Sequence, residues 1–181
     1  MSLFWLAKNW TERVTDGVKV TDSDHAYIHE GAAYEASWVD SVSGQVKFGF
    51  DVISTGGSDK YVHLRPAQIH TEKGTVTFQI FEGSTRASTG SVVPSYNRNR
   101  AHGAAEYRVT VGDASTSTGY TKIHEQQVYG GSGPGNGASG AVSGQPFEWV
   151  FKRNTKYVFR LASTQAIKTS VNFFWYEEAD G

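Results

Sequence analysis

The sequence predicts an all-β protein: a single-domain, jelly-roll-like β-sandwich over residues 14–181, built of about nine to eleven antiparallel strands, behind a short N-terminal arm over residues 1–13. Three observations lead there. The first is the stretch Glu148–Tyr176, EWVFKRNTKYVFRLASTQAIKTSVNFFWY, whose apolar side chains recur with the two-residue period of a sheet. Tyr157, Phe159 and Leu161 fall on one face and Lys156, Val158 and Arg160 on the other, and Val171, Phe173 and Trp175 repeat the pattern. The second is composition: twenty glycines, 13% aromatic residues and only four prolines favour many short strands joined by tight turns over long helices. The third is the placement of turn-prone segments. Ser43-Gly44, Glu72-Lys73-Gly74, Lys152–Thr155 and Ser163–Gln165 each predict a chain reversal into an antiparallel hairpin.

Taken in order, Leu3, Phe4, Trp5, Leu6 and Trp10 form a dense apolar patch in the arm that needs a cover, either an edge of the protein's own sheet or the surface of a partner. Val14–Asp24 carries an Asp16-Gly17 turn between β-branched runs, which predicts the hairpin that opens the sheet. Ala33–Val42 and Gln45–Ile53 alternate around Ser43-Gly44 as two strands. Lys60–Arg65 is a strand that Pro66 must interrupt at an edge or bulge, because proline has no N–H to give a ladder. Ala67–Thr71 and Thr75–Glu82 form a hairpin around Glu72-Lys73-Gly74, with Val76, Phe78 and Ile80 on one face. Gly83–Ala101 is a long irregular connection, Ala105–Val111 and Tyr120–Tyr129 are strands, and Gly130–Gln145 is a glycine- and serine-rich loop. Glu148–Tyr176 supplies three short strands in succession.

Several function classes are disfavoured. A formal net charge of −1 with no basic run argues against nucleic acid, whose binding depends on displacing counterions with clustered Lys and Arg. The apolar run near the N-terminus is too short for a signal-peptide core or a membrane span, so a cytoplasmic site of synthesis and no membrane partner are expected. Cysteine is absent, which leaves neither disulfide nor thiolate ligand. His25 and His29 would align only on a helix, which nothing in the composition predicts here; Glu30 follows the second histidine, so the His-Glu-x-x-His pattern is missing. His63, His70, His102 and His124 are scattered over separate strands. The glycine-rich tract lacks the Gly-Lys-Ser/Thr of a phosphate loop, and no Gly-x-Ser-x-Gly elbow occurs. No catalytic residue, metal ligand or cofactor is expected.

Two candidate contact regions remain. Tyr96-Asn97-Arg98-Asn99-Arg100 sets two fixed positive charges beside an aromatic ring, a combination suited to carboxylates on a protein partner, to phosphate, or to solvent alone. Together with Leu3, Phe4, Trp5, Leu6 and Trp10 of the arm, Tyr96, Arg98 and Arg100 are the expected interface residues. Tyr96, Tyr120 and Tyr129 are alternative stacking platforms for a glycan.

The succession Ile28-His-Glu-Gly31, Lys60-Tyr-Val-His-Leu64, Phe81-Glu-Gly-Ser-Thr85, Asn97-Arg-Asn-Arg100, Thr116-Ser-Thr-Gly119, Glu148–Tyr157 and Phe174-Trp-Tyr-Glu177 resembles virion structural proteins of tailed bacteriophages, in particular capsid decoration, or cement, proteins. The resemblance covers residues 28–177 and rests on turns and strand cores, and Arg153 stands where the pattern leads one to expect proline. It implies a non-catalytic protein on the outside of the capsid, made in the host cytoplasm. Its implied partners are the major capsid protein and copies of itself, a homotrimer ahead of a dimer. The arm would then tie each subunit to the shell, so that removing residues 1–10 is expected to abolish attachment without unfolding the domain. A carbohydrate-binding or receptor-contacting module of a tail or head fibre is the competing expectation.

Overall fold

The computed structural model describes residues 23–52, 58–83, 90–112, 120–131 and 148–179. The all-β expectation is met. Among the described residues one short helix, α1 (Ser23–His29), precedes ten strands: β1 (Ala33–Val52), β2 (Lys60–Leu64), β3 (Gln68–Thr71), β4 (Thr75–Glu82), β5 (Ser91–Val93), β6 (Ser95–Asn97), β7 (Tyr107–Gly112), β8 (Thr121–Tyr129), β9 (Trp149–Phe151) and β10 (Tyr157–Ala179). All belong to one antiparallel sheet that curls until it is nearly a barrel.

β1 and β10 are the axis of the sheet, and both are far longer than the sequence suggests. The turn expected at Ser43-Gly44 does not reverse the chain, and neither does the one at Ser163–Gln165; residues 33–52 form one strand and residues 157–179 another, paired along most of their length. The turn residues meet instead. Val42 pairs with Ile167 and Gly44 with Ser163, so that Thr164, Gln165 and Ala166 lie opposite Ser43 alone. Gly44, at φ 74°, takes the left-handed backbone that a bulge of this kind needs. Three residues against one is an even excess. Side-chain alternation therefore survives the bulge, and Tyr34, Ala36, Val42, Phe48 and Phe50 of β1 are all buried.

The third expected hairpin fails in the same way. β3 and β4 both lie along β10, β3 on residues 169–172 and β4 on residues 157–162, so Glu72-Lys73-Gly74 turns a corner beside the β1–β10 bulge. There the Glu72 N–H donates to the Lys168 carbonyl at 3.1 Å, and Gly74 sits so close to Ile167 that a Cβ would come within 2.9 Å of its Cδ1. Three adjacent strands bend at one level, and the sheet folds over itself. One leaf holds β6, residues 33–42 of β1, residues 167–179 of β10, β2, β3 and β9; the other holds β5, β7, the remainder of β1 and β10, β4 and β8.

The core is the ring-filled space between the leaves. Phe50 meets Trp175 edge-on at 5.1 Å, Phe48 meets Phe173 at 5.3 Å and Phe159 meets Phe173 at 5.1 Å. Each buried ring removes enough apolar surface from water to stabilise the fold by roughly 1.5–3 kcal/mol. His124 of β8 faces Trp149 of β9 at 6.0 Å where the far edges approach. Pro66 sits at a bulge as expected: Arg65, Pro66 and Ala67 stand opposite Phe173 and Phe174, and the odd excess switches the buried positions from Val62 and Leu64 to Ile69 and Thr71.

Two further expectations need correcting. The region around His25 is helical, because Glu30 N–H bonds Ala26 O, Ala32 N–H bonds Tyr27 O, and Gly31 closes the helix at φ 71°. Gly83–Ala101 is not wholly irregular, since β5 and β6 lie within it, separated at Pro94. The arm with Leu3, Phe4, Trp5, Leu6 and Trp10, the Asp16-Gly17 hairpin, and residues 132–145 of the glycine-rich loop lie outside the described residues.

Candidate functional site

Residues 173–178 of β10 alternate between two polar environments. Phe173, Trp175 and Glu177 point into the core, while Phe174, Tyr176 and Glu178 belong to the outer face.

On the outer face, the Tyr176 ring stacks on Tyr27 of α1 at 3.9 Å and on His63 of β2 at 4.4 Å. Two rings that close and that parallel to a third must lie on its opposite sides, so Tyr176 is sandwiched and pins the helix to the sheet. Its hydroxyl donates to both carboxylate oxygens of Glu148, at 2.8 and 3.0 Å, and His63 Nδ1 reaches the same carboxylate at 3.1 Å. Burial, reinforced by the hydrogen bond to anionic Glu148, pushes the Tyr176 hydroxyl well above the ordinary phenol range, so it remains a donor. Arg65 completes the group, with Nε 3.7 Å from Glu148 and its guanidinium 5.8 Å from the Tyr176 ring.

Beside this stack opens a cleft of about 350 Å³, lined by Tyr27, Arg65, Pro66, Gln68, Arg98 and Phe174 among others. A second concavity of similar volume, lined by Glu35, Tyr96, Asn97, Arg98 and Arg100, adjoins it. Arg98 lines both.

The Asn97-Arg98-Asn99-Arg100 segment explains why the arginines face outward. Asn97 is buried, donates from Nδ2 to the carbonyls of Gly31 at 2.7 Å and Gly103 at 3.0 Å, and accepts the Asn99 N–H at 2.9 Å. Asn99 in turn donates to the His29 carbonyl at 3.2 Å and accepts the Ala101 N–H. The asparagines knit the turn to the sheet and to α1. Arg98, between them, and Arg100, after Asn99, are exposed. The Arg98 guanidinium lies 5.8 Å from the centre of Phe174 and that of Arg100 lies 5.2 Å from Tyr96, contacts worth about 0.5–1 kcal/mol each at exposed sites. Among the described residues neither forms an ion pair with a carboxylate.

The inner environment is closed. Glu177 is 4% exposed, and its carboxylate accepts the Glu106 N–H at 2.9 Å, the Tyr107 N–H at 3.0 Å and the Trp175 indole N–H at 3.2 Å. Burial raises its pKa and the three donors pull against that rise. Next to it Lys60 pairs with Glu106 at 2.7 Å, and the Ser58 hydroxyl donates to the other Glu106 oxygen at 2.7 Å. The Lys60 hydrogen bond holds Glu106 below the usual carboxylate range, and Lys60 is raised in return. Asn154, at φ 53°, closes the turn between β9 and β10 and exchanges two hydrogen bonds with the Ser58 backbone; Arg153, in place of the expected proline, sits 4.2 Å from the Tyr61 ring. This carboxylate is a structural clasp. The Glu177 oxygens hold three of the protein's own N–H donors and lie away from solvent.

Of the expected interface residues the structure brings Tyr96, Arg98 and Arg100 together. The tyrosines named for a glycan do not gather: Tyr120 and Tyr129 flank opposite ends of β8, separated by about 30 Å of extended chain, and Tyr96 belongs to β6. Sequence reasoning missed Arg65, Tyr27 and Phe174. Phe174 carried a signal, since like Tyr176 it is an aromatic on the polar parity of a strand whose rings at 157, 159, 173 and 175 point inward. Among the described residues no three His, Asp or Glu side chains converge as metal ligands, and no helix is long and apolar enough to cross a membrane. No protein family, curated protein or solved structure matches the chain.

Proposed function

We propose that this chain is a non-catalytic virion structural protein, a decoration or cement protein on the outer surface of a tailed-phage capsid, and that it meets the major capsid protein through the face carrying Arg98 and Arg100. One observation carries the reading: two guanidiniums, held over Phe174 and Tyr96 by a buried asparagine scaffold, present their charge outward without a direct ion pair among the described residues, Glu35 lining the same concavity. A guanidinium over an aromatic ring has its planar fork free for a bidentate carboxylate, and the ring limits the orientations to be frozen on binding. The cleft floor of Pro66, Phe174 and Tyr27 adds apolar area beside the charge. A partner surface offering an acidic side chain next to an apolar one fits this face. Self-association, a homotrimer ahead of a dimer, would multiply a modest contact by placing several copies of it on a repeating lattice.

The test is co-sedimentation of the full chain with purified heads stripped of it. Saturable binding that weakens as salt rises from about 0.05 to 0.5 M is the expected result, because exposed charge pairs are screened over that range. Absence of saturable binding at low salt, or binding indifferent to salt, overturns the reading.

A further inference from the structure

The helix that the sequence did not announce places two imidazoles side by side. Tyr27 is docked against Tyr176, and at about 100° per residue the positions two before and two after it lie on the opposite side of α1. Those positions are His25 and His29, both exposed. Their Nε2 atoms are 2.9 Å apart, their ring centres 4.4 Å apart and their planes inclined at 73°.

We infer that His25 and His29 form a two-nitrogen site for a single divalent transition-metal ion that favours right-angle coordination, of the Cu(II) or Ni(II) class. With metal–nitrogen bonds of about 2.0–2.1 Å, two nitrogens at right angles on one ion stand about 2.9 Å apart, with their ring centres about 4.5 Å apart. A straight N–H···N hydrogen bond at the same nitrogen spacing would put the ring centres about 5.2 Å apart. The two rings share a bent N–H···N hydrogen bond, and the same pair of distances fits convergence on one ion. Tetrahedral coordination would open the nitrogens to about 3.3–3.4 Å, which disfavours a zinc-type site. The bite is held in place from behind: Tyr27 anchors the middle of the helix, Asn99 donates to the His29 carbonyl, and Gly31 ends the helix. The ion's remaining positions face solvent.

The experiment is a calorimetric titration of the tag-free full chain with a Cu(II) salt alone, paired with electron paramagnetic resonance of the one-equivalent sample. One ion bound per chain, with nitrogen splitting from two imidazoles, is the expected result. His25→Gln and His29→Gln each weaken binding about 100-fold by removing one arm of the chelate, while His70→Gln leaves it unchanged. The spectrum needs no variant, so a missing two-nitrogen splitting refutes the site even if a substitution unfolds the helix, and the substitutions assign the nitrogens to this pair among the six histidines. A wild-type spectrum without two-nitrogen splitting, or variants that bind copper as the wild type does, overturns the inference.

Discussion

Four consecutive residues, Phe174-Trp175-Tyr176-Glu177, feed two polar regions that differ in one respect. On the inner side Glu177 has three N–H donors, Glu106 has Lys60 and Ser58, and the cluster has no partner left to find. On the outer side Tyr176, His63 and Arg65 converge on Glu148, but Arg98 and Arg100 next to them rest on rings and form no ion pair with a carboxylate among the described residues. A buried polar group left unsatisfied destabilises the fold, whereas an exposed guanidinium is satisfied by water until something better arrives. The inner cluster therefore belongs to stability and the outer one to binding.

Breaking the inner side at its ring has the largest expected effect. Trp175 is 2% exposed and packed on Phe50 and Tyr34, so Trp175→Ala should cost about 3–5 kcal/mol in chemical unfolding. Phe174→Ala, one residue away on the outer face, should cost less than half as much and weaken head binding instead. Equal losses of stability would erase the distinction.

Glu177→Gln comes next. An amide places an NH2 where one carboxylate oxygen accepts an N–H, so donor meets donor, and a loss of about 1–3 kcal/mol at neutral pH is expected from urea unfolding. A variant as stable as the wild type would show that the clasp is dispensable.

The pH dependence of unfolding sharpens the picture further. Glu106 is lowered from 4.5, so its contribution is complete above that value and disappears as pH falls through its folded value; Lys60 is raised from 10.5, so its part is complete below that and disappears as pH climbs through its own folded value. Glu177 is raised from 4.5 and works in the opposite sense, its carboxyl favouring the fold in acid and less so once pH rises through its folded value. Glu106→Gln should therefore cost under about 1 kcal/mol at pH 7, since the pair is 31% and 39% exposed and screened, and nothing in acid where both proteins are neutral at that position. A cost that persists unchanged in acid would mean that the ion pair is not its source.

How far the sequence could be read follows from particular residues. The period-two pattern in β10 put Tyr157, Phe159, Leu161, Val171, Phe173 and Trp175 in the core, and all six are buried there. Where that pattern failed was at Ser43-Gly44, Glu72–Gly74 and Ser163–Gln165, and Lys152–Thr155 turns the chain without pairing β9 to β10. Turn residues announce that a strand will bend, and whether the bend reverses the chain depends on partners far away in sequence. Here the three segments are neighbours, so each bends the others' strand and none closes a hairpin. The Asn97–Arg100 segment was legible as charge beside an aromatic, but its scaffold was not, because the carbonyls that hold Asn97 belong to Gly31 and Gly103. Helix α1 escaped notice because seven residues carry too short a period to stand out, and its main support is the Tyr27–Tyr176 stack.

The most direct test joins both halves in one preparation: head binding and thermal unfolding of Arg98→Ala/Arg100→Ala. Loss of saturable head binding with a stability loss no larger than the about 1–2 kcal/mol that the two ring contacts are worth is what a binding face separate from the stabilising core predicts. Wild-type saturation of heads by this variant, or its unfolding before it reaches them, would contradict it.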